Sequence, residues 1–256
     1  MNKLCAISLS GGLDSTVLAY RAIADGYNIL PINIKYGQKN VVELQAFEDV
    51  VGVIKTLWPD RVLEVVNLDL QSMLNTTLSL YQTIRDSNQV KDQTDMEFYT
   101  PSRNLVFSTL AAMIGEVAGI AGGIDEICVG LGVHKHQEYS RDYWDISPEF
   151  VKALDSVFAL NDCIKVSMYA PYADKFKSDI ARDAIKFNVP VFSTWTCYNP
   201  QEEVVQVLKH AGTQVVEYHP CLKCEACIER QKAGDDADFT NINNYMQEGI
   251  VPIPLG

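Results

Sequence analysis

Apolar positions recur along this chain in two periods, and the exchange between them predicts a repeated strand–helix unit. Residues 4–9, "LCAISL", form a short unbroken apolar run closed by a turn signal, the pattern of a strand buried on both faces. From Asp14 the spacing becomes 3.6 residues, with Leu18, Ala19, Ala22 and Ile23 on one side. The same exchange predicts further strands at 28–36, 61–70, "DEICVGLGV" (125–133) and 163–171. Helices are predicted over 41–57, over 104–123 with a glycine-pair stop, over 147–160 opened by Ser147 and Pro148, and over 174–188. That order predicts an α/β fold, a parallel sheet with helices on both faces, over residues 1–194. Residues 71–100 are polar and too long for a plain connection, as a lid, a partner contact or a surface insertion would be. From residue 195 to 256 the composition shifts: four cysteines, a predicted helix at "QEEVVQVLKH" (201–210) and a loose end, "EGIVPIPLG".

Between the first strand and the first helix lies "SGGLDST" (10–16). The first turn of a helix has no internal partners for its N–H groups and carries the positive end of the dipole, so such a turn suits an anion. Gly11 and Gly12 let the backbone approach a phosphate closely, and the Ser10 and Ser15 hydroxyls can donate to it. The lysine of a Walker A loop is absent, so this is a different nucleotide loop. Ligands of open parallel sheets bind at the carboxyl ends of the strands. Three stretches would converge there: "SGGLDS", "GLGVHKHQEY" (130–139) and "APYADK" (170–175).

A net charge of −12 argues against a broad nucleic-acid footprint, which needs clustered Lys and Arg. A small-molecule substrate fits better. There is no leader pattern and no uninterrupted apolar run near 18 residues, so a cytoplasmic protein without a membrane partner is expected. Seven cysteines in such a chain are not expected to form a disulfide framework. Cys5, Cys128 and Cys163 sit in apolar runs and read as packing residues. Cys221, Cys224 and Cys227 are spaced C-x2-C-x2-C, and Cys197 in "TWTCYN" supplies a fourth thiolate for a closed, structural zinc shell. An iron–sulfur cluster accepts the same four ligands, and His219 is an alternative to Cys197.

The segment "SGGLDST" resembles the S-G-G-x-D-S/T signature of the PP-loop ATP pyrophosphatases, of the adenine nucleotide alpha hydrolase-like fold. Taken with the four cysteines, the chain resembles the 7-cyano-7-deazaguanine synthase family of queuosine precursor synthesis along nearly its whole length. "YTPSRNLVFST" (99–109) is similar to that family's F-V-P-G-R-N-L-x-F, "DKFKSDIARDAIKF" (174–187) to D/T-K-x-E-I, "TWTCYN" to T-x-S-C-Y-N, and "CLKCEACIERQKA" (221–233) to C-G-x-C-x-x-C-x-x-R-x-x-A. The resemblance implies ATP bound by Leu9, Ser10, Gly11, Gly12, Leu13, Asp14, Ser15 and Thr16, Mg²⁺ held with help from Asp14, and Zn²⁺ in the cysteines. It implies catalytic roles for Ser10, Asp14, Ser15 and Lys175, and substrate contacts from Arg103, Asn104, Tyr143 and Asp145. His134 and His136 stand beside a predicted strand end as candidate proton carriers.

The implied reaction is ATP-dependent. 7-Carboxy-7-deazaguanine is adenylated, ammonia displaces AMP to give an amide, and a second ATP activates the amide oxygen for loss as the nitrile. The family also implies a homodimer. One departure stands out: where the family reads Y-P-D-C-R, this chain has "YWDIS" (143–147), with Ile146 and Ser147 in place of Cys-Arg. Three alternatives follow: a relative, of a phage-related or defence setting, that joins the activated acid to a protein or other nucleophile, a PP-loop amide synthetase or sulfurtransferase on another substrate, and a nucleotide-binding module without turnover.

Overall fold

The structure is a computed structural model, and it describes residues 3–36, 41–72, 100, 102–135, 143–208, 213–239, 242 and 251–254. Five parallel strands, β1 (Lys3–Ser8), β2 (Asn28–Lys35), β3 (Val66–Asp69), β4 (Glu126–Gly130) and β5 (Lys165–Tyr169), form one sheet in the order β3-β2-β1-β4-β5. The chain fills the sheet outward from β1 through β2 to β3, then returns to the other side of β1 for β4 and β5. The reversal lies between β1 and β4, where the connections leave in opposite directions and open a crevice. Cys5 pairs in register with Ile29 on one side and Cys128 on the other.

Both faces of the sheet are covered, which is why its strands read as continuous apolar runs. Leu4 and Ala6 of β1 face a core completed by α3 (Arg103–Gly122) and α4 (Pro148–Phe158), with Phe107, Ala111, Phe150 and Leu154. Cys5 and Ile7 face the opposite core, built with α1 (Leu13–Ala24), α2 (Val41–Leu57) and α5 (Lys177–Lys186), through Leu18, Phe47 and Ile180. Among the described residues α3 alone is long and apolar enough to cross a membrane. Its glycine face lies hard against the sheet instead: a Cβ at Gly115 would stand 3.1 Å from the Ala6 Cβ, and one at Gly119 2.7 Å from Ile127 Cδ1.

The C-terminal region departs from expectation in two places. Residues 201–208 are a strand, β6 (Gln201–Leu208), where a helix was predicted, and Val251–Pro254 in the expected loose end form β8. They flank β7 (Thr213–His219) in an antiparallel sheet ordered β6-β7-β8. "EEVVQV" is compatible with either period, and its β-branched valines favour a strand once "TQVVEYH" is there to pair with it. Between β7 and β8 in the chain lies α6 (Glu225–Asp235), which packs on α5. The segment 73–99 and His136 lie outside the described residues, so the expected insertion is not described here.

Candidate active site

The loop after β1 is held open by its own residues. Gly11 has φ +78°, and a Cβ there would come within 2.7 Å of the Ala46 carbonyl carbon on α2, so glycine is required on both counts. Ser10 Oγ accepts from the Gly12 amide (3.2 Å) and lies 3.1 Å from Ser15 Oγ, while Thr16 Oγ1 donates to the Gly12 carbonyl (2.7 Å). Gly12, in extended conformation, is the N-cap of α1, and no side chain caps the helix. The first-turn amides of Leu13, Asp14 and Ser15 are thus left for an anion. Gly132, just past β4, brings a second loop against this turn, since a Cβ on it would lie 3.2 Å from the Ser15 nitrogen.

The charged groups around Asp14 come from three distant segments. Lys177 Nζ donates to Asp14 Oδ2 (3.2 Å) and to Glu229 Oε2 (3.1 Å), although Lys177 is only 6% exposed. Burial alone would push its ammonium toward neutrality, and Asp14 and Glu229 more than reverse this, leaving the pKa above the ordinary lysine value. His134 Nε2 is 3.7 Å from Asp14 Oδ2 and 4.0 Å from Glu229 Oε1. Burial lowers the pKa of His134 despite the opposing pull of Asp14. Asp14 Oδ1 is buried and has no hydrogen-bond partner among the described residues. A buried carboxylate oxygen without a donor is costly, and a divalent cation with oxygen ligands is a fitting occupant.

Lysine at 175 does not reach this cluster. It is exposed, and among the described residues its backbone is what is engaged, its carbonyl accepting from Lys135 N (2.7 Å). Lys177 takes the place expected of Lys175. The signal was legible: a K-x-E-I pattern needs an acid two residues after the lysine and then isoleucine, which Lys177, Asp179 and Ile180 satisfy. Glu229 escaped the sequence reading because 215 residues separate it from Asp14 and only the fold joins them.

The expected substrate residues lie at the start of α3. Asp145, only 3% exposed, accepts from the Asn104 amide through Oδ2 (3.1 Å), and its carbonyl accepts from Asn104 Nδ2 (3.1 Å). Asp145 thus caps the helix containing Asn104, while the helix after it is capped by Ser147, whose Oγ accepts from Phe150 N (3.1 Å). The residues replacing Cys-Arg have structural work here, since Ile146 packs into the α3–α4 core and Ser147 is the α4 cap. Arg103 lies over the Tyr36 ring, 5.9 Å from its centroid. Burial lifts the neighbouring Glu43 carboxyl to about 7 against the pull of Arg103. Tyr143 precedes the 3₁₀ turn Trp144–Ile146 and is partly buried.

The four cysteines do come together. The sulfurs of Cys197, Cys221, Cys224 and Cys227 all lie within 4.8 Å of one another, a set that could hold a metal ion. Zinc–thiolate bonds of about 2.3 Å would give sulfur–sulfur edges of roughly 3.8 Å. The Cys221 amide donates to the Cys197 sulfur (3.2 Å) and the Cys224 amide to the Cys221 sulfur (3.3 Å), the bonding a thiolate set attracts. His219 is instead 3.7 Å from Glu203. Cys5 and Cys128 are buried packing residues as expected, whereas Cys163 is exposed. The cluster abuts the nucleotide loop: Trp195 N donates to the Gly11 carbonyl (2.9 Å), and Val42 and Ala46 of α2 pack against the cysteines.

Comparison with known proteins identifies the family. The family described as "Queuosine biosynthesis protein QueC" matches residues 5–238. The chain belongs to that family. A 7-cyano-7-deazaguanine synthase of Thermoplasma volcanium is 29% identical over 252 residues, covering 96% of this chain and 92% of that protein. One from Archaeoglobus fulgidus is 30% identical over 231 residues, covering 88% and 83%. The "7-cyano-7-deazaguanine synthase 2" of Colwellia psychrerythraea is 27% identical over 250 residues, covering 98% of this chain and all of that protein.

Proposed function

We propose that this chain converts 7-carboxy-7-deazaguanine and ammonia to 7-cyano-7-deazaguanine, consuming two ATP. The observation that carries this is the convergence of the uncapped α1 N-terminus, Asp14 and Lys177 in one crevice, in a chain related to such synthases over nearly its whole length. A carboxylate is a poor electrophile. Its oxygen attacks the α-phosphorus of ATP, pyrophosphate leaves, ammonia adds to the acyl carbon and AMP departs with the former carboxylate oxygen. The amide oxygen is then adenylated in turn with release of a second pyrophosphate, and loss of AMP and of both amide N–H protons leaves the nitrile.

The protein's contribution is positioning and charge stabilisation. The first-turn amides of α1, with Ser10 and Ser15, receive the pyrophosphate oxygens, and Lys177 offsets the charge that builds there. Magnesium, when bound, neutralises phosphate charge, and Asp14 Oδ1 is the oxygen suited to it. Arg103, Asn104, Tyr143 and Asp145 form the substrate side, with Arg103 suited to a carboxylate or phosphate and Asp145 to the N–H edge of a guanine-like ring. Zinc in the four cysteines staples the region 195–256 to the nucleotide-binding region 1–194. The protein works in the cytoplasm as a homodimer, and the exposed stripe of Met113, Val117 and Ile120 on α3 is an apolar face that a second copy would cover.

The test is AMP formation in the presence and absence of the deazaguanine acid. Acid-dependent AMP release, lowered at least about a hundredfold in Asp14→Ala, is expected. AMP release indifferent to the acid would contradict the substrate assignment.

A further inference from the structure

Lys177 stands between two carboxylates, and only one of them belongs to the nucleotide loop. Its ammonium is 3.2 Å from Asp14 and 3.1 Å from Glu229, so the charge of one cation is divided almost equally. Glu229 sits on α6 and is fixed from both sides along the chain. Cys227, two residues before it, is buried in the sulfur cluster. Arg230, the next residue, is fully buried and donates to the Ile242 carbonyl (2.9 Å), the Val191 carbonyl (2.8 Å), Thr194 Oγ1 (3.0 Å) and Thr196 Oγ1 (2.8 Å). The Glu229 backbone is therefore anchored on both sides next to the site.

Without Glu229 the buried ammonium would have Asp14 as its remaining close carboxylate. At low exposure such a pair is much stronger than at the surface, and it would compete with a cation at Asp14 and withdraw the lysine from phosphate. From this geometry, and resting on the nucleotide-site reading above, we infer that Glu229 is a positioning residue. It draws the Lys177 ammonium partly off Asp14, keeping Asp14 available to magnesium and the lysine available to phosphate, and it links the cysteine-bearing helix to nucleotide binding.

The test is a double-mutant cycle read as the dissociation constant of Mg-ATP, measured by calorimetry on the full, metal-loaded chain without the deazaguanine acid. Glu229→Gln is expected to weaken binding about tenfold in the wild-type background and less than about twofold in Lys177→Met, because the effect passes through the lysine. Glu229→Asp should recover part of the loss, and zinc content and melting temperature should match wild type. Equal losses in both backgrounds, or no loss in Glu229→Gln, would overturn the inference. Mg-ATP binding with the expected cycle but without turnover of the acid would support it while contradicting the substrate assignment. A wild-type chain that binds no Mg-ATP would overturn the nucleotide reading and this inference together.

Discussion

Two positions separate Lys175 from Lys177, yet one side chain is exposed and the other is almost fully withdrawn from water between two carboxylates. At the first residue of α5 the chain turns inward, and Asp179 holds the turn by accepting from the Phe176 amide (3.1 Å). Lys177→Ala is therefore expected to lower kcat about a hundredfold, while Lys175→Ala stays within about twofold of wild type, as steady-state pyrophosphate release will show. Glu43 gives the fold a pH dependence. Its carboxyl, raised to about 7 by burial, holds a proton in the folded state that the unfolded chain has already released. Its stabilising contribution is thus full below the ordinary glutamate pKa and fades as pH rises toward 7. Urea melts from pH 5 to 8 should show wild type losing stability relative to Glu43→Gln across that window.

The element scale separates what could be read in the chain from what could not. The five strands of the main sheet were legible as short apolar runs and the helices on it as 3.6-residue apolar faces, and the turn between β1 and α1 was legible because its glycines, serines and aspartate are contiguous. Strand β6 was not, since "EEVVQVL" satisfies both periods and its state is decided by pairing with β7. Asp145 stands out in the sequence through its place in "YWDIS", but its cap of a helix more than forty residues upstream is a tertiary fact. The loop itself makes a sharp demand at this scale. Gly11→Ala combines a positive φ with a clash against α2 backbone, and thermal or urea unfolding should show a loss of about 1–3 kcal/mol.

At the scale of the whole molecule, the crevice between β1 and β4 gathers groups from both ends of the chain, and the cysteine cluster holds the later ones in place. Zinc loading is thus expected to stabilise the nucleotide site as well as the C-terminal region. Metal analysis of Cys224→Ser should find zinc falling from about one per chain to near none, with a lowered melting temperature and poorer solubility; a full zinc complement would contradict the ligand set. Everything at this site converges on the nitrile-forming reaction. The most direct measurement supplies Mg-ATP, 7-carboxy-7-deazaguanine and ¹⁵N-ammonium and follows the products by mass spectrometry. A free nitrile carrying the label is expected, with about two AMP formed for each nitrile; AMP released without any labelled nitrile would contradict the assignment.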